Sequence, residues 1–156
     1  MKEIDTTFDI HFTDTYSIDG INPRLEKIAE IIIGDFREPI IIPVSYWSEQ
    51  DYKKQWLGAL YEILSSNNSS TALIVSMHDT KMTDSHIVTW PMYREGEIIY
   101  IQNRILFLEE STKYFEIGKI KTYIGERETV GEDGHVISEW QVGVEDIQKA
   151  VLRLDR

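Results

Sequence analysis

The chain opens on strict alternation of apolar and polar positions. In residues 4–12, IDTTFDIHF, the side chains of Ile4, Thr6, Phe8, Ile10 and Phe12 fall on one face, which predicts a strand. Residues 26–36, EKIAEIIIGDF, are ambiguous in part, because LEKIAEII alone fits two helical turns. β-Branched residues dominate the run and it meets Gly34-Asp35, so a strand is expected. Residues 38–44, EPIIIPV, form a short β segment bracketed by Pro39 and Pro43, which suits a sheet edge or the ends of a strand.

The period then changes. In SYWSEQDYKKQWL, residues 45–57, Ser48 followed by Asp51 marks a helix start. Tyr52, Trp56, Leu60 and Ile63 recur at spacings of three and four, widened by Ala59 and Leu64. Most of this aromatic density is therefore the buried stripe of a helix that stops at SSNNSS, with Asn67 or Asn68 as a left-handed cap. Tyr46 and Trp47 precede the cap and staple the chain's entrance.

A strand series follows in residues 71–78, 86–94 and 97–102, with Gly96 turning a hairpin, and 105–108 is a further short apolar run. Pro91 inside the second of these predicts an edge strand or a bulge. Residues 111–124 are expected to be partly helical. Residues 126–130 and 135–142 read as a second hairpin around GEDG at 131–134. A last helix starts near residue 145, striped by Ile147, Ala150, Val151 and Leu154. The order of strands, helix, strands and helix predicts an α+β fold on antiparallel β-sheets with two main packed helices, in one domain over residues 1–156.

Charge changes this picture most. The 156 residues carry 16 Lys and Arg against 27 Asp and Glu, a formal net charge of −11. Both ends are more acidic than the middle. A field of that sign repels phosphate and attracts basic proteins. There is no Cys, which excludes disulfides and thiolate metal sites and fits a reducing compartment. No apolar window has the length of a membrane span, and the N-terminal stretch lacks the apolar core of a signal peptide.

Catalytic signatures are missing. The four His, at positions 11, 78, 86 and 135, sit in no HEXXH, and GXSXG, phosphate-loop and GXGXXG patterns are absent. HDTKMTDSH, residues 78–86, places His78, Asp79, Asp84 and His86 around one loop, a weak metal pattern and an equally weak hydrolase pattern with Ser85. A solvated hairpin loop explains it as well, so no metal or cofactor is expected. GEDGH at 131–135 fails the spacing of a calcium loop. The two sequons at Asn67 and Asn68 read as helix-end chemistry. Trp90, Tyr93 and Tyr100 have the ring chemistry to stack bases. Only Arg94 and Arg104 lie close in sequence, against Glu95 and Glu97, so packing within the sheet is preferred.

Seven pieces carry a resemblance: PVSYW, DYKKQWL, ALIVSM, IVTW, IIYIQN, ILFLEE and ISEW, in that order between Pro43 and Trp140. Together they resemble immunity proteins of bacterial contact-dependent growth inhibition systems, the CdiI family, in the branch paired with a ribosomal-RNA-cleaving nuclease. Residues 1–40 and 111–125 depart from that pattern. The resemblance implies a cytoplasmic inhibitor without catalysis, on a Whirly-like fold. It would bind and neutralise the C-terminal toxin domain of a cognate CdiA effector, a basic RNase, and would bind neither nucleic acid nor membrane directly. The alternative on the same fold is a single-stranded nucleic-acid binder. Charge and loop placement point to Asp79, Asp84, Glu95, Glu97, Glu109 and Glu110 as partner contacts, with Tyr93 as an anchor.

Overall fold

The computed structural model describes residues 7–14, 20–22, 25–78, 86–107 and 115–155. Among these residues there are two antiparallel sheets and three α-helices. Sheet one has the order β1 (Phe8–Phe12), β2 (Glu26–Ile33), β3 (Phe36–Pro43). The alternation of the first segment holds from Phe8: Phe8 and Ile10 are buried, and half-buried Phe12 packs on the core. The ambiguous Ile-rich run is a strand, but it ends at Ile33. Gly34, with φ of 62°, takes the left-handed conformation of a tight turn, and Phe36 already belongs to β3. β3 is an edge strand, where Pro39 and Pro43 are tolerated.

Helix α1 (Glu49–Leu64) follows the stripe read from the sequence, burying Tyr52, Trp56, Ala59, Leu60 and Ile63. Ser48 and Asp51 form a reciprocal capping box. The other end departs from expectation. Ser65, in right-handed conformation, is the C-cap, and Arg94 Nη1 donates to the carbonyls of Ile63 and Leu64 at 3.3 and 3.2 Å. A cation there satisfies orphan carbonyls and complements the helix dipole.

Sheet two is built on β5 (His86–Glu95), which pairs β4 (Ser70–Ser76) on one side. On the other side lie β6 (Ile98–Gln102) and β7 (Arg104–Phe107), end to end and interrupted at Asn103. Pro91 is thus in a central strand, not at an edge. Its missing N–H coincides with the interruption: the pairing passes from Thr89↔Arg104 to Met92↔Ile101, leaving Trp90 and Pro91 unpaired on that side. β8 (Glu139–Gly143) pairs β6. The hairpin expected over 126–142 reduces to one bridge, Val130↔Val136. Against β6, β8 lays Trp140 and Val142 on the core, whereas ERETV at 126–130 offers a hairpin partner almost no apolar surface. A 3-10 turn (Ile117–Lys119) leads into α2 (Ile120–Ile124), so the partly helical expectation holds in its second half; residues 111–114 lie outside the described residues. α3 (Val144–Leu154) follows β8 without a loop.

α1 spans both sheets, packing on β4, β1 and α3. Phe36 of sheet one meets Trp140 and Trp90 of sheet two at ring-centroid distances of 4.5 and 6.3 Å. One apolar cluster draws on both sheets and all three helices.

Candidate functional site

The outer face of sheet two near the β5–β6 turn carries the acidic residues singled out from the sequence that fall within the described part. Strand alternation puts Tyr93 and Glu95 of β5, Ile98, Tyr100 and Gln102 of β6, and Glu139 and Gln141 of β8 on this face. The segment after α2 lies over it. Arg127 stacks its guanidinium 3.6 Å from the Tyr100 ring centroid and grips Glu139 through two hydrogen bonds of 2.9 and 2.6 Å. Glu139 also accepts from Gln102 Nε2 at 2.7 Å, and Gln102 donates to the Glu128 carbonyl at 2.8 Å. Arg127 holds the Glu139 carboxyl below its usual range, and Glu139 in turn raises the guanidinium. Glu95 reaches Arg127 at 3.2 Å while its side chain stays 59% exposed. Glu97 is exposed, and its carbonyl receives the amide that opens α3.

Tyr93 requires a correction. It is 5% exposed and its hydroxyl donates to the Ile124 carbonyl at 3.2 Å. Burial under α2 pushes its pKa up. It forms part of the lining of a cleft of about 490 Å³ shared with Arg94, Glu95, Lys121 and Arg127, so it is a fastening for α2 and not a projecting anchor. Asp79, Asp84, Glu109 and Glu110 lie outside the described residues. Of the expected acidic contacts, Glu95 and Glu97 are therefore the ones placed, at opposite ends of one turn.

The rings considered for base stacking are all engaged. Trp90 is buried against Phe36 and Trp140, Tyr93 lies beneath α2, and Tyr100 is covered by Arg127. His78 and His86 do converge, with ring centroids 5.5 Å apart. Among the described residues, no group of three or more His, Cys, Asp or Glu has a geometry to hold a metal. No helix among them is long and apolar enough to cross a membrane.

Two residues escaped the sequence reading. Ile105 and Phe107 belong to a short apolar run in the sequence, yet they are 48% and 77% exposed on β7. A hint was present: ILFL alternates little, so one face of a short strand had to carry apolar groups into solvent unless something covers them.

Fold and surface define an acidic, two-sheet α+β protein. A family model described as the CdiI N-terminal domain matches residues 42–150. The chain is 40% identical over 124 residues to the immunity protein CdiI of Enterobacter cloacae subsp. cloacae, covering 80% of this chain and 83% of that protein. It is also similar to a chain of a CdiA-CT/CdiI toxin and immunity complex from Enterobacter cloacae, with a TM-score of 0.81 and 36% identity, over 95% of this chain and 98% of that one. The chain belongs to the CdiI family of immunity proteins.

Proposed function

We propose that this chain binds and neutralises the C-terminal toxin domain of a cognate CdiA effector, protecting the cell that makes it from delivery by its neighbours. The observation that carries the reading is the likeness, over nearly the whole chain, to a chain of a toxin–immunity complex. The chemistry supports a basic partner. A net charge of −11 speeds encounter with a cationic domain and disfavours phosphate. An RNA-cleaving toxin has such a surface, because it must hold a polyanion. Inhibition then needs no catalysis: covering the toxin, at its active site or beside it, suffices, and the encounter takes place in the cytoplasm where the substrate RNA is.

The test is calorimetric titration of this protein into its catalytically inactivated cognate toxin domain at several salt concentrations. Nanomolar affinity, weakening as salt rises, is expected. Absence of binding at low salt overturns the reading. A salt-dependent shift of a labelled single-stranded oligonucleotide would favour the nucleic-acid alternative instead.

A further inference from the structure

The even-numbered residues of β5 share one face: His86, Val88, Trp90 and Met92. Trp90 and Met92 are buried, at 1% and 0% exposure, and Trp90 packs on Phe36 of sheet one and on Trp140. Two residues earlier the cover ends. Val88 is half-buried and His86 exposed. The pairing sets Ile105 opposite Val88 and Phe107 opposite His86, on the same face. Sheet two thus overhangs sheet one, and the face that is core at Trp90 continues outward as an open apolar shelf. Half-buried Phe36 and Trp140 form its inner wall. His78, just past the end of β4, His86 of β5 and Phe107 of β7 form a row of rings at its outer end, with successive centroids 5.5 and 6.2 Å apart. Beside the shelf, β7 pairs only β5 among the described residues. The opposite edge of the sheet is closed: Gln55 of α1 donates to the Ala72 carbonyl and accepts from the Ile74 amide, both at 2.8 Å, as a neighbouring strand would.

We propose that this shelf, centred on Phe107 with Ile105 and Val88, is the anchoring surface for the basic toxin domain; this rests on the function proposed above. An exposed Phe beside an aliphatic pair is the apolar centre that a tight interface requires, since rim charges contribute little each. Charge complementarity selects the occupant. Asp35 adjoins Phe36 of the inner wall, and the chain as a whole carries −11. An apolar side chain flanked by cations on the partner fits such a centre, whereas a second copy of this chain brings its own −11.

The experiment compares Phe107→Asp and Ile105→Lys with Leu152→Asp, an exposed α3 position outside the shelf, by titration against the inactivated toxin domain. Phe107→Asp adds negative charge and so cannot weaken a basic partner's binding through long-range attraction; Leu152→Asp makes the same charge change elsewhere. Wild-type binding with a loss of about 30-fold or more for both shelf variants, and less than about 3-fold for Leu152→Asp, is expected. Hydrogen exchange on the wild-type complex adds a readout that needs no variant: the amides of Arg104–Phe107 gain protection. If the wild type binds and the shelf variants bind equally well, the inference is overturned while the proposed function stands. If the wild type does not bind, both are. Self-association lost in Phe107→Asp with toxin binding intact assigns the shelf to a second copy and overturns it too.

Discussion

His11 sits between two carboxylates of sheet one. Its Nδ1 lies 2.9 Å from Asp9 Oδ2 on its own strand, and its Nε2 lies 3.6 Å from Glu30 of β2. Arg37 of β3 also reaches Glu30, and Arg153 of α3 lies 3.7 Å from Asp9. Glu49 and Lys53 of α1 line the cavity of about 250 Å³ beside them. Hydrogen bonding to Asp9 raises the imidazole pKa, partly offset by burial. Burial raises Asp9, but the bond and charge of His11, with Arg153, leave it below its usual value. A raised His pKa in the folded state gives stability that is complete below about pH 6.5 and fades as pH rises through the raised value. A lowered Asp pKa gives stability that is complete above about pH 4 and fades on acidification through the lowered value. The pair therefore stabilises most between those limits. Thermal melts from pH 6 to 9 are expected to fall for the wild type more than for His11→Gln; parallel curves would show that the ring does not titrate against folding.

At the scale of elements, α1 does more than cover the core. Its Gln55 and Trp56 side chains, with Tyr52, satisfy the backbone of the β4 edge, Trp56 Nε1 donating to the Ile74 carbonyl at 2.8 Å and Tyr52 receiving the Met77 amide at 3.0 Å. Gln55→Leu keeps the volume and strands a carbonyl and an amide. Each unsatisfied group costs about 1–3 kcal/mol. Urea denaturation is expected to show a lower midpoint at unchanged slope, and an unshifted midpoint would mean that water replaces the amide without loss. None of this was legible in the sequence, where Gln55 simply fell off the apolar stripe. The stripe itself was legible, because a cap at Ser48 and spacings of three and four are local signals. The strand of β8 is legible too, but its partner is not, for the complementary reason: pairing β6 over a nearby hairpin partner is a non-local decision about which surface buries Trp140 and Val142. Pro91 likewise marked an irregularity correctly, but which strand carries the gap depends on chain 12 residues away. Tyr93 looked like an anchor until α2, itself only five residues, was seen to cover it.

For the whole molecule, net charge is readable at once, whereas the surface proposed to use it is not. Which acids face a partner depends on the stacking of sheet two over sheet one, which no local pattern encodes. The same stacking predicts how the molecule comes apart. A single apolar cluster joins both sheets and every helix, so one domain is expected to unfold in one transition. Calorimetry is expected to give matching van't Hoff and calorimetric enthalpies, at roughly 0.7 kcal/mol per residue near 60 °C. Two separable transitions would divide the sheets into independent units.

The junction of β1 with α3 has a consequence for timing. Arg153 donates to the Phe8 carbonyl, and Asp146 accepts from the Thr7 hydroxyl. These contacts join residues 139 and 145 positions apart. The hairpins of sheet two close over far shorter separations. While the ribosome still holds the segment containing Arg153, β1 lacks the helix that packs against it. Much of sheet two is by then available to pair, yet β1, which precedes sheet two in the chain, is completed after it.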